Sequence, residues 1–201
     1  FFMGISTGAG VVIAQFFGAG NTCKMKRAIH NSIALTLVMG VVLTIVGLLF
    51  NDPILKAIGV PSEVFSEAST YLSIYFWSLI FVMVYNMGSG ILRSVGDSKR
   101  PLYFLIFSSV VNILDFLFVK YFHFGVAGAG YATLIAQAIS AIMVMYVLMK
   151  TEDDYKVILK EIGFDKEILL KIIKIGLPTG FQQSIVSLSN VIVQSYINVY
   201  G

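Results

Sequence analysis

Asp115 is the only one of the eleven acidic residues that lies inside a long apolar segment, SSVVNILDFLFV. The other ten lie in or beside polar stretches. An ionisable side chain at membrane depth costs about 2.5–3.5 kcal/mol even on the gentlest scale. Such a carboxylate binds an ion, carries a proton or holds a cationic substrate, unless a structural hydrogen bond ties it up. Asn112 precedes it by three residues and so shares its helix face. Carboxylate and amide oxygens are hard ligands. They suit a sodium ion, or a proton on a hydrogen-bonded carboxyl.

Other polar groups recur at helical spacing. Gln183, Ser187, Asn190 and Gln194 follow the i, i+4, i+7, i+11 pattern of one face. They either glue neighbouring helices together or line a water-filled cavity. Thr133 and Gln137, four apart, reach Asp115 if their segment packs antiparallel to the one before it. Asn86 sits among Tyr75, Phe76, Trp77, Phe81 and Tyr85, with Met39, Met83 and Met87 adding soft side chains. Such a surface either fills the packing between helices or holds flat organic cations by stacking and cation–π attraction. Gly4 and Gly8 form a small-xxx-small pair for close helix contact. Arg93 and Asp97, four apart, read as a local ion pair.

The elements that must position these groups are membrane helices. Apolar residues make up 57% and charged ones 12%, and mean hydropathy is +0.86. Soluble domains carry about a quarter charged residues. Six segments approach the roughly 20 residues a bilayer crossing needs: 1–17, 31–50, 68–92, 102–119, 126–149 and 175–200. Backbone groups in lipid must be satisfied within each segment, so all six are expected to be helices.

Charge placement orients them. The first, third and fifth connections hold twelve of the fourteen Lys and Arg residues; Lys56 and Lys120 alone fall in the second and fourth. The positive-inside rule places connections 18–30, 93–101 and 150–174 in the cytoplasm. That distribution accounts for the net charge of +3, so nucleic-acid binding is not implied. The segment 151–174 carries Ile168, Leu169, Ile172 and Ile173 on one face, with Lys166, Lys171 and Lys174 away from it. This fits an amphipathic helix on the inner membrane surface. The chain opens at Phe1 within an apolar helix pattern and reads as an internal piece of a longer protein.

Several chemistries are set aside. Cys23 is the single cysteine, and His30 and His123 stand at span edges. A disulfide, a metal cluster and His-based catalysis are therefore not expected. No paired carboxylates face each other within a span, which disfavours a membrane-embedded enzyme. No pore loop or filter ring suggests a channel.

Five stretches carry a resemblance: Gly8–Asn21, Gly90–Pro101, Asn112–Val119, Gly125–Gln137 and Lys174–Ser184. In this order and spacing they are similar to the multidrug and toxic compound extrusion (MATE) transporters. The resemblance implies an all-α integral membrane protein, a truncated part of a twelve-helix transporter with two six-helix bundles. The chain then holds the second to seventh helices. Residues 1–149 form the N-terminal bundle lacking its first helix, 150–174 the cytoplasmic linker, and 175–201 the first helix of the C-terminal bundle. Family members exchange sodium or protons for cationic small molecules and need no further cofactor. The resemblance assigns Asp115, Asn112 and Thr133 to the coupling-cation site. The family pattern usually sets the Asn four residues before the Asp; the gap here is three, a rotation of about a quarter turn. Asn86, Gln137, Gln183, Asn190, Tyr85 and Met87 are candidates for the substrate cavity. The rival within the wider superfamily is a lipid-linked oligosaccharide flippase, but no Lys or Arg lies mid-span to meet an anionic head group. The partners expected are cationic substrates, the lipid bilayer and the remaining helices of the same protein, in the plasma membrane.

Overall fold

The computed structural model describes residues 2–109 and 125–200. Among these every regular element is helical: α1 (Phe2–Gly18), α2 (Thr22–Leu49), α3 (Asn51–Ile58), α4 (Ser62–Ser94), α5 (described over 99–109), α6 (Gly125–Lys150), a 3-10 turn at Leu159–Glu161, and α7 (Lys166–Tyr200). Thr22–Leu49, Phe65–Ser94 and Gly130–Lys150 are long and apolar enough to cross a membrane; α1 is a shorter apolar helix. On α2, Val38, Val41, Val42, Ile45 and Val46 are exposed. Their i, i+3, i+4, i+7, i+8 spacing makes one apolar stripe, the face a bilayer covers.

Glycine contacts give the helix directions. A Cβ on Gly4 would overlap the Gly180 backbone, and one on Gly8 the Gly176 backbone, so α1 and α7 run antiparallel. Gly130 meets Ile74 and Gly88 meets Val144, a constant offset of 56 residues, so α4 and α6 run parallel. Gly40 lies on Ile80 and Gly47 on the Phe76 ring, so α2 opposes α4. Gly10 touches Ser94 and Gly90 touches Ser6, which sets α1 parallel to α4. Helices α1, α4 and α6 thus run one way, and α2 and α7 the other. The three basic connections must then meet at one end of the bundle.

They do meet there. Lys26 pairs with Asp154 at 3.4 Å, Arg27 with Asp165 at 3.7 Å, and Arg100 donates to the Tyr155 hydroxyl at 3.0 Å. Asn31 Nδ2 donates to the Asp165 carbonyl at 2.7 Å. The main core cluster lies toward this end: Met25, Ile29, Ile91, Leu92, Leu148, Val157, Ile168 and Ile172 are all within it. The alternation of charge and the alternation of helix direction agree.

Several sequence expectations are corrected. The first basic connection is mostly helix. Asn21 accepts from the Lys24 N–H at 3.0 Å and starts α2 at Thr22, so Lys24, Lys26 and Arg27 sit on its first two turns. The second connection begins as helix α3, with Pro53 in its first turn, where the missing proline N–H costs nothing. Gly59, at φ 77°, ends that helix. The segment 166–174 is not a separate surface helix; it forms the first turns of the 35-residue α7. Asp97 pairs with Arg100 at 3.2 Å rather than with Arg93. Gly96, at φ 88°, reverses the chain and turns Asp97 onto the start of α5, where it also accepts the Arg100 N–H.

Candidate functional site

Asp115 and Asn112 lie outside the described residues. Thr133 and Gln137 lie one turn apart on α6, both half-buried. The register of α6 on α4 sets Thr133 level with Trp77 and Gln137 level with Phe81. Asn86 lies nine residues beyond Trp77 along α4, about 13 Å inward along the helix axis, and five beyond Phe81. It is half-buried; its Nδ2 donates to the Val82 carbonyl at 2.8 Å, and its own carbonyl accepts a long 3.4 Å bond from Ser6. Tyr85 beside it is half-buried. Met87 is 1% exposed and belongs to the packed core, not to a cavity.

Gln183 and Asn190 are exposed on α7. The antiparallel pairing of Gly4 with Gly180 sets both on the outer part of α7. The candidate residues therefore fall into three groups. Thr133 and Gln137 share the outer half of the α4–α6 seam. Tyr85 and Asn86 lie deeper on α4. Gln183 and Asn190 stand apart on α7.

At the outer end of the α4–α6 seam is a hollow of about 510 Å³, lined by Ser69, Thr70, Ser73, Trp77, Tyr131 and Leu134 among others. Behind it, Asn51 is 5% exposed; its Nδ2 donates to the Ser73 hydroxyl at 2.6 Å and the Ser69 carbonyl at 2.9 Å. Ser69 in turn donates to Asp52 at 2.9 Å. No local sequence pattern marks this network, because Asn51-Asp52 resembles a loop signal. The retrievable clue was Ser69 and Ser73, four apart on the facing helix. A second cleft, about 300 Å³, runs between α1 and α4 past Ser6, Thr7, Gly10, Arg93 and Ser94. No group of three His, Cys, Asp or Glu among the described residues could hold a metal ion.

At the inner end, the Lys171 ammonium hydrogen-bonds Glu167 at 2.7 Å and holds that carboxyl below its usual range. The Thr151 hydroxyl, then Tyr155, lower Asp153. A carboxyl lowered in the folded state stabilises above its unfolded value and loses that contribution as pH falls through its folded value. Both groups are fully exposed, so the effect is small. The expected result is that the difference in proteolysis within 151–167 between the native protein and the double variant Asp153→Asn, Glu167→Gln stays constant down to about pH 4.5 and closes only below it. A difference that begins to close near neutrality would contradict this assignment.

The MatE family profile matches residues 1–117. The chain is 34% identical over 209 residues to the probable multidrug resistance protein YoeA of Bacillus subtilis, covering all of this chain and 45% of that protein. Among solved structures, an outward-facing multidrug resistance MATE family transporter of the MOP superfamily superposes with TM-score 0.88 at 29% identity, over 96% of this chain and 44% of that one. An inward-facing structure of such a transporter gives TM-score 0.82 at 30% identity, over 89% and 41%. The chain thus spans less than half the length of the proteins it matches.

Proposed function

Because the chain belongs to the MatE family and is a multi-pass plasma-membrane protein, we propose that it works within a cation-coupled antiporter. That antiporter exports cationic drugs or toxic organic compounds by alternating access. Family membership carries this reading, and the multidrug resistance named for a relative supports the substrate class. Bundles of opposed helices that rock about a central cavity are the usual basis of such transport.

In this reading Asp115 binds the coupling cation, a sodium ion or a proton, with Asn112 and Thr133 beside it. The register of Thr133 opposite Trp77 supports a site in the outer half of the bundle, where a cation arriving from outside reaches it first. Tyr85, Asn86 and Gln137 face the substrate path, and Gln183 and Asn190 close it from α7. Met87 is set aside as core. Residues 1–149 act as one bundle, 150–174 link, and 175–201 begin the second bundle. Cation and substrate are antagonistic, which couples influx of one to efflux of the other.

The test is ethidium efflux from vesicles carrying the full-length protein, under a sodium gradient or a proton gradient imposed separately. Efflux that follows one gradient names the ion. Efflux under neither would overturn the drug-antiporter reading and favour a lipid-linked oligosaccharide flippase.

A further inference from the structure

His30 is a buried titratable group that the transport reading leaves unused. It is 3% exposed and both ring nitrogens are engaged. Nδ1 lies 2.7 Å from the Lys26 carbonyl oxygen, one turn back on α2, so Nδ1 carries the hydrogen. Nε2 is then the bare nitrogen, and it accepts the Ile158 backbone N–H at 2.9 Å. These two partners require a neutral ring and fix its tautomer.

Ile158 belongs to a strap that closes the inner end. The Val157 N–H donates to the Leu148 carbonyl at 2.8 Å, Val157 is 2% exposed, and Tyr155 receives Arg100. The strap also answers an electrostatic need. Lys24, Lys26 and Arg27 sit on the first two turns of α2, where the helix dipole already disfavours cations. Linker carboxylates compensate for them.

The Glu161 carboxylate lies 3.9 Å from the same Nε2. That is too long for a hydrogen bond now, and close enough to receive one if Nε2 becomes a donor. A hollow of about 410 Å³ lined by Cys23, Lys26, Arg27, His30, Glu161 and Asp165 gives water access to the ring.

We propose that His30 is a pH-sensitive latch on the linker. Uptake of one proton from the inner side turns Nε2 into a donor, expels the Ile158 N–H and hands the ring to Glu161. The strap around Ile158 then lets go of α2. The second anchor, Asn31 on the Asp165 carbonyl, involves no titrating atom and holds. The charges facing the ring are set for this exchange. On α2, Lys26 and Arg27 oppose a charged ring, but Asp154 and Asp165 from the linker neutralise them. Glu161 is the linker carboxylate nearest the ring. On α7, Glu167 and Lys171 are paired with each other. The latch is separate from the cation site and does not depend on the substrate.

The experiment is amide hydrogen exchange over residues 152–165 of the full-length protein in nanodiscs, at about pH 7.5 and about pH 5.5, the window in which imidazole changes charge. After correction for intrinsic exchange, protection of Ile158 is expected to fall by at least about tenfold at the lower pH. His30→Gln, which cannot take up charge, should show no such fall. Glu161→Gln, which lacks the receiving carboxylate, should release only at a lower pH than the native protein. Protection independent of pH in the native protein, or an equal fall in His30→Gln, overturns the latch. If His30→Gln does not fold, identical pH curves for the native protein and Glu161→Gln overturn it.

Discussion

Gly8→Ala destabilises the protein, whereas Gly10→Ala, two residues along the same helix, is close to neutral. Both substitutions gain the same helix propensity, about 1 kcal/mol in favour of Ala. They differ in what the new methyl group meets. At Gly8 it meets the Gly176 backbone and the Ile172 carbonyl oxygen. Backbone atoms cannot turn aside as a rotamer can, so the helices must separate. Overpacking of this kind costs about 1–3 kcal/mol, and contact with backbone lies at the upper end. At Gly10 the nearest atom is the Ser94 hydroxyl at 3.0 Å, the end of a side chain that can rotate. The second crossing pair, Gly4 and Gly180, is equally tight, so Gly4→Ala should behave like Gly8→Ala. The measurement is the fraction of full-length protein that stays monodisperse after heating in detergent. Equal stability of Gly8→Ala and Gly10→Ala would remove the α1–α7 crossing as a determinant of the fold.

That crossing shows which parts of the fold are legible in a sequence. Gly4 and Gly8 signal close contact by their spacing alone, but the spacing cannot name the partner. The partner motif, Gly176 and Gly180, brackets Pro178, and a proline draws attention to helix breaking. Here α7 continues through Pro178. Its α1-facing glycines accommodate the close approach. The apolar spans around 31–50, 68–92 and 126–149 and their directions were legible because they rest on summed quantities: hydropathy over about 20 residues, and twelve basic residues against two. Asp97 was misassigned because i, i+4 spacing predicts a contact only within one helix, and Gly96 breaks the helix between the two residues. In the sequence His30 reads only as a residue at a span edge. Its burial comes from a strap 128 positions away, and no local pattern carries that. For the candidate site, residue types were readable and heights were not. Only the offset of 56 between α4 and α6 separates Thr133 from Asn86 along the bundle.

Asp115→Asn is expected to cut gradient-driven efflux by about 5–150-fold while leaving the protein folded. Asparagine keeps the size and much of the hydrogen-bonding capacity of aspartate but loses the charge. If the carboxylate served only as a structural acceptor, the amide would largely replace it, and removing a charge from an apolar segment would relieve a cost of about 2.5–3.5 kcal/mol. The structural role therefore predicts equal or greater stability with transport intact. The coupling role predicts the same outcome for stability, kept or improved, but with gradient-driven transport largely lost. Coupling free energies of roughly 1–3 kcal/mol correspond to a 5–150-fold change, so efflux under the favoured gradient should drop by that range. Thr133→Ala removes a neutral hydroxyl from a half-buried position on α6. A neutral ligand contributes less than a charged one, about 0.5–1.5 kcal/mol, so Thr133→Ala should weaken the dependence on cation concentration several-fold without ending transport. The ordering is the decisive readout, obtained from ethidium efflux against cation concentration in the native protein and both variants. Undiminished efflux in Asp115→Asn would place the coupling carboxylate outside this chain's span, whatever Thr133→Ala does.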